Sequence, residues 1–261
     1  RRSVIRSFVE AGARAIFRAY FRCFHHVAVE GLHHIPVDPR GLIVVANHES
    51  LIDGVLLWTY LKMDLTIVVD RRRARELLFR PFMRNWHTVE IDAMNPFSLK
   101  GVIDRVKEGR PLLIFPEGRM TTTGSLMKVY EGAGFVAYKA GAGILPVHIG
   151  GAFSTLFSRK KGGRRLFKDL TVTVFPPRAL PAPGGRTPKV RKKEAAQAIL
   201  SMLCEAAYEA NNGPVTLGAG FVQSCRRYGR RVLYKDATGA EVTYGRALRA
   251  ALALGEGVLR F

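Results

Sequence analysis

The chain carries one short segment whose residue types suit proton transfer. Asn47-His48-Glu49-Ser50-Leu51-Ile52-Asp53 follows the apolar run Leu42–Ala46, so His48 falls where a buried strand gives way to a helix. Imidazole is the side chain whose ordinary pKa lies nearest neutrality, which suits a general base. With Ser50 as helix N-cap, Asp53 stands one turn in. Its carboxylate can then meet the ring, fix the tautomer and stabilise the imidazolium that forms. Ser50 and Asp53 also have the spacing of a capping box, with Asp in place of Glu or Gln. That accounts for Asp53 without chemistry, but not for His48.

A second group, Ile114-Phe115-Pro116-Glu117-Gly118-Arg119-Met120, again follows an apolar strand. Pro116 and Gly118 shape a tight turn. Glu117 and Arg119 project from it, at the same sheet edge as His48 if the two strands are parallel. Arg119 has the fork geometry that grips a phosphate, and backbone amides near Gly118 can approach an oxyanion. A turn with a surface ion pair fits the same residues. The third group, Ile144-Leu145-Pro146-Val147, is a strand carrying a proline, which places Pro146 near an edge or a bulge. The pairs His25-His26 and His33-His34 lack further ligands nearby, so no metal site is expected. His87 and His148 read as structural. Phosphate-loop, dinucleotide-binding, zinc-protease and nucleophile-elbow motifs are all absent.

Several elements must hold these groups. Strands are expected at Leu42–Ala46, Thr66–Val69, Thr88–Ile91, Pro111–Phe115, Ile144–Ile149 and Thr171–Phe175. Helices are expected over Ser50–Leu61, Arg72–Arg84, Pro96–Glu108, Gly132–Ala140 and Lys192–Asn211. The alternation predicts an α/β fold, a mixed and largely parallel sheet flanked by helices. Ahead of it, residues 1–29 read as a basic amphipathic helix. Ile5, Phe8, Val9, Ile16, Tyr20 and Phe24 form its main stripe, facing protein, while Phe17, Phe21 and the arginines face lipid. After the Pro/Gly-rich stretch 176–190 and the helix to Asn211, the character changes. The division is therefore 1–29, 30–211 and 212–261.

The 261 residues include 41 Lys and Arg against 21 Asp and Glu, a net charge of +20. Such an excess asks for a polyanionic partner. Basic runs lie at Arg71–Arg75, at Arg159–Lys161 with Arg164, Arg165 and Lys168, at Lys189–Lys193 and at Arg226–Arg231. No nucleic-acid-binding signature accompanies them, so an anionic membrane surface rather than nucleic acid is the expected partner, with a basic nucleic-acid-binding protein as the alternative of another class. Three scattered cysteines exclude a disulfide framework or zinc ribbon, and no apolar run is long enough to span a bilayer.

NHESLID, FPEGRM and ILPV, in this order and spacing, resemble the motifs of the glycerolipid acyltransferase superfamily, which contains the lysophosphatidate acyltransferases. The resemblance covers about residues 28–211. The string FPEGRMTTTGSLMKVYEGAGFVAYKAGA is most similar to the acyltransferase half of the bifunctional 2-acylglycerophosphoethanolamine acyltransferase/acyl-ACP synthetases. Residues 216–261 resemble the opening of an adenylate-forming ligase domain, whose ATP and Mg sites are expected beyond Phe261. The resemblance implies His48 as general base, Asp53 as its orienting partner, Glu117, Gly118 and Arg119 as acceptor-binding residues, and Pro146 as the fourth family motif. It implies transfer from acyl carrier protein or acyl-CoA to a lysophospholipid without a cofactor. The implied location is peripheral or monotopic, at the cytoplasmic face of a bacterial inner membrane. The family's second motif commonly has an Arg after a pair like Ile91-Asp92, where Ala93, Met94 and Asn95 stand here. That departure points to 2-acylglycerophosphoethanolamine as acceptor, with lysophosphatidate as the alternative.

Overall fold

The computed structural model describes residues 2–71, 88–92, 98–211 and 217–258, with the side chains of 2–9, 217 and 256–258 excepted. The helix expected over Arg72–Arg84, His87 and the Ala93–Asn95 departure lie outside the described residues. The chain divides into two compact units, Arg1–Asn211 and Asn212–Phe261.

In the first unit the sheet consists of β1 (Val27–Glu30), β2 (Leu42–Ala46), β3 (Thr66–Asp70), β4 (Thr88–Ile91), β5 (Leu112–Ile114), β6 (Gly143–Gly150), β7 (Leu170–Val174) and β8 (Arg178–Ala179). Its order is β1-β7-β6-β2-β5-β3-β4, and β8 also pairs with β6. β6, β2, β5, β3 and β4 run parallel to one another, while β7 and β8 run antiparallel to β6. The mixed, largely parallel sheet expected from the alternation is therefore present. β2 is buried along its whole length because helices cover both faces. Val44 and Ala46 face one apolar cluster with Leu56, Leu57 and Trp58. Ile43 and Val45 face another with Val136, Ile199 and Leu203.

The helices of this unit are α1 (Arg2–Phe24), α2 (Asp53–Tyr60), α3 (Ser98–Lys107), α4 (Glu131–Ala140) and α5 (Pro188–Asn211). α4 and α5 approach backbone to backbone. A Cβ on Gly134 would lie 2.4 Å from the Ala196 amide nitrogen, with Ala195 equally close. Gly134→Ala must push the helices apart. The expected cost is about 1–3 kcal/mol, read as a lower Tm in thermal unfolding; an unchanged Tm would show that the pair relaxes freely.

α1 corrects the sequence reading. Its Phe21 is fully buried and Phe17 meets Trp58 edge to face at 6.4 Å, whereas Ile16 of the expected protein-facing stripe is 69% exposed. Ile5, Phe8 and Val9 lie among the side chains not described. The arginines are the reason for the rotation. Arg14 donates to the Met63 carbonyl at 2.8 Å and covers the Trp58 ring at 4.6 Å, and Arg18 donates to the Thr59 carbonyl at 3.4 Å. They satisfy carbonyls at and just past the C-terminus of α2, so the face taken for lipid is the one docked on α2. The helix also ends earlier than residue 29. Val27 and Val29 alternate inward, and β1 pairs in parallel with β7.

Pro146 is likewise not at a sheet edge. It is buried in β6, with β2 on one side. On the other side β7 ends at Val174 opposite Val147, and β8 starts at Arg178 opposite Ile144. The Pro146 carbonyl accepts from the Phe175 amide at 3.0 Å, so its missing N–H faces the gap between β7 and β8, where Pro176 and Pro177 also lack donors. The break in the neighbouring strand is what admits a proline here.

The second unit consists of α6 (Leu217–Tyr228), the antiparallel hairpin β9 (Val232–Lys235) and β10 (Glu241–Thr243), and α7 (Tyr244–Val258). No helix among the described residues is long and apolar enough to cross a membrane.

Candidate active site

β5, β2 and β6 lie side by side in parallel, so the loops after all three emerge at one edge of the sheet. The register pairs Val45 with Ile114 and with Pro146. That brings the 47–52, 116–130 and 151–155 segments together.

Three polar side chains staple these loops. The Asn47 side chain donates to the Ile149 carbonyl and accepts from the Ile149 amide, both at 2.8 Å, and so prolongs the β2–β6 pairing. Glu117 accepts from the His48 amide at 2.9 Å and from the Met127 amide at 2.8 Å, one bond on each carboxylate oxygen. Glu49 accepts from the Phe153 amide at 2.7 Å. The His48 carbonyl in turn accepts from the Thr121 amide at 2.8 Å. The backbone of His48 is thus held on both sides without help from its own side chain.

The imidazole is placed separately. His48 Nδ1 donates to Asp53 Oδ2 at 2.9 Å, and the ring stacks on Phe115 with centroids 4.2 Å apart. The same Asp53 oxygen accepts from the Glu49 amide at 2.7 Å and the Ser50 amide at 2.8 Å, at the N-terminus of α2. Half of the expected capping box is therefore real. Its other half is not: the Ser50 hydroxyl bonds Thr155 Oγ1 at 3.1 Å, and the helix begins at Asp53 rather than at Ser50. Asp53 serves both readings at once, holding the turn and the ring. With Nδ1 committed, His48 Nε2 has no partner among the described residues.

His48 lines a pocket of about 250 Å³ together with Asn47, Glu49, Glu117, His148 and Asn211. Burial there pushes the Glu49 carboxyl up to about 7, helped by the negative charges of Asp53 and Glu117. Burial raises Glu117 as well, against the two amides that favour its ionised form. Glu49 and His148 were missed as pocket residues by sequence reasoning. His148 is 7% exposed; its Nε2 accepts from the Asn211 side-chain amide at 3.3 Å, while its Nδ1 has no hydrogen-bond partner among the described residues, so the histidine expected to be structural is only half satisfied. No sequence signal marks it, because only the pairing of β6 beside β2 brings it to the pocket.

The remaining sequence candidates separate. Glu117 lines the pocket, and each of its oxygens accepts from one loop amide. The Gly118 amide donates to the Phe115 carbonyl at 3.0 Å and is not free for an oxyanion. What Gly118 supplies is a φ of 62°, with the Tyr130 ring where a Cβ would sit. Arg119 is exposed, outside the pocket lining, and makes no ion pair among the described residues. Pro146 belongs to the core. His25 and His34 are structural, with Nδ1 bonded to the Lys168 carbonyl at 3.0 Å and to the Val174 carbonyl at 2.8 Å.

Residues 26–150, which include His48 and Asp53, match the Acyltransferase family model. A chloroplastic 1-acyl-sn-glycerol-3-phosphate acyltransferase of Arabidopsis thaliana is 26% identical over 49% of this chain and 37% of its own. The 1-acyl-sn-glycerol-3-phosphate acyltransferase of Cocos nucifera is 30% identical over 52% of this chain and 45% of its own. The chain thus spans less than half of the length of these relatives. The crystal structure of the 1-acyl-sn-glycerophosphate acyltransferase PlsC from Thermotoga maritima superposes with a TM-score of 0.61, at 24% identity, over 80% of this chain and 83% of that one. Residues 26–150 thus match an acyltransferase family model, and the chain shares the fold of the Thermotoga maritima structure.

Proposed function

We propose that this protein transfers a fatty acyl group from a thioester to the free hydroxyl of a lysophospholipid. The observation that carries the reading is the 2.9 Å bond from His48 Nδ1 to buried Asp53, which leaves Nε2 as the basic nitrogen of a pocket residue. His48 takes the hydroxyl proton as the oxygen attacks the thioester carbonyl. The tetrahedral adduct collapses, the C–S bond breaks, and the thiolate leaves with a proton returned from the imidazolium. Asp53 stabilises that imidazolium while it exists.

For the acceptor we put lysophosphatidate first, because the relatives are named for that substrate. Ala93-Met94-Asn95 after Ile91-Asp92 supports the second reading, 2-acylglycerophosphoethanolamine, whose phosphate is already esterified. Acyl carrier protein and acyl-CoA are the proposed donors, at a membrane surface. Residues 212–261, by their resemblance, are proposed as the opening of an adenylate-forming domain. The test is acyl transfer by the purified chain, offered each donor with each acceptor. Turnover on lysophosphatidate alone selects the first reading, turnover on the ethanolamine lipid selects the second, and turnover on neither rejects both.

Arg119 is proposed to hold the acceptor phosphate. Arg119→Ala is expected to raise the acceptor KM more than it lowers kcat in steady-state kinetics. An unchanged KM removes it from that role.

A further inference from the structure

The segment just past the 151–155 loop presents a one-sided surface. Residues 156–168 carry Arg159, Lys160, Lys161, Arg164, Arg165 and Lys168 and no acid; Asp169 is the first that follows. None of the six is ion-paired among the described residues. Lys160 donates to the Ser154 hydroxyl at 3.3 Å and Arg164 to the Leu156 carbonyl at 3.4 Å, so the positive charge stays uncompensated. Apolar side chains stand out between the cations: Leu156 is 44%, Leu166 39% and Phe167 66% exposed. Phe167 stacks on Phe24 of α1 with centroids 5.9 Å apart. Arg22, Arg165 and Lys168 surround that pair in an open cleft of about 360 Å³.

The segment is also built rather than loose, and it is tied to the catalytic turn. The Arg165 amide donates to the Ser154 carbonyl at 2.8 Å and Thr155 bridges to Arg165, which closes the loop at its base. Ser158 bridges to Ser50, and the Leu51 amide donates to the Phe157 carbonyl at 3.2 Å. The His48–Asp53 segment therefore rests directly on it.

We propose that residues 156–168, with Arg22 and Phe24, dock this protein on an anionic phospholipid surface. Charge alone would equally draw an acidic protein. The protruding Leu166 and Phe167 decide for the bilayer, since cations interleaved with exposed leucine and phenylalanine match the boundary between headgroups and acyl chains. The proposal deepens the acyl-transfer reading, by placing the membrane that holds the acceptor beside the catalytic turn, but docking is measured without turnover. This surface, rather than the Phe17/Phe21 face of α1, meets lipid.

Flotation of the full chain with phosphatidylcholine vesicles, with and without phosphatidylglycerol, tests it. The unaltered protein floats with the anionic vesicles, and less so as salt rises. Each cation near such a surface contributes about fivefold to partition, so R164Q/R165Q lowers it about 25-fold. L166S/F167S lowers it about tenfold or more. Unchanged Tm values exclude misfolding, as all four side chains are exposed. Retained transfer to an acceptor in detergent micelles would separate lost docking from lost catalysis. Wild-type flotation of either double variant overturns the proposal. So does loss of retention on an immobilised acidic carrier protein with flotation unchanged, which assigns the surface to that partner instead.

Discussion

His48→Ala is expected to lower acyl transfer by about 10²–10⁴-fold, the range that a positioned general base contributes, with Tm close to that of the unaltered protein. The second half of this expectation follows from how the residue is held. Its amide is bound by Glu117 and its carbonyl by Thr121, and neither bond involves the imidazole. Truncation removes one hydrogen bond to Asp53 and the stack on Phe115, and Asp53 Oδ2 keeps its two backbone donors. Kinetics and thermal unfolding of the same preparation check both halves. Most of the activity surviving would end the general-base role, whatever the acceptor.

Asp53 offers no such clean separation. Its carboxylate is fully buried, and its second oxygen has no hydrogen-bond partner among the described residues. In Asp53→Asn one amide oxygen can still accept from Glu49, Ser50 and His48. The new NH₂ then occupies a buried position with no acceptor, which costs about 1–3 kcal/mol of stability. A fall in Tm together with a loss of activity is therefore expected there, and only the contrast with His48→Ala isolates the chemistry.

The His48–Asp53 pair was legible because it is local. His48 and Asp53 lie five residues apart across a strand-to-helix turn, and short-range geometry decides whether they meet. The sheet was legible too. Strands such as Leu42–Ala46 are buried on both faces and read as continuous apolar runs. Three things were hidden, each set by contacts distant in sequence. Pro146 sits inside the sheet only because β7 stops and β8 starts opposite it. The face that α1 turns inward depends on Arg14 and Arg18 finding carbonyls 49 and 41 residues away, at and just past the end of α2. Glu117 looked like a group free for substrate, but its partners, the amides of His48 and Met127, belong to other loops. Periodicity reports which side chains are apolar, and it is silent on where an arginine or a carboxylate finds its partner.

Glu49 leads to the second large effect, in stability rather than turnover. Its carboxyl is 8% exposed and is raised from an ordinary 4.5 to about 7, chiefly by burial and further by Asp53 and Glu117. Between those values the folded protein holds a proton that the unfolded chain has released. Folding is therefore favoured fully below about 4.5, and that advantage fades as pH rises through 7. Above 7 a buried carboxylate must be carried in the folded state. A shift of this size corresponds to about 3 kcal/mol. Glu49→Gln keeps an oxygen for the Phe153 amide and removes the charge. The stability difference between this variant and the unaltered protein should move in the variant's favour by about 3 kcal/mol from pH 5 to pH 8, or several degrees in Tm. Glu117 is raised as well and slopes the same way in both proteins, so the difference between the two curves reports Glu49 together with its coupling to Glu117. Thermal unfolding of both across that range decides the matter, and parallel curves would show that Glu49 does not titrate there.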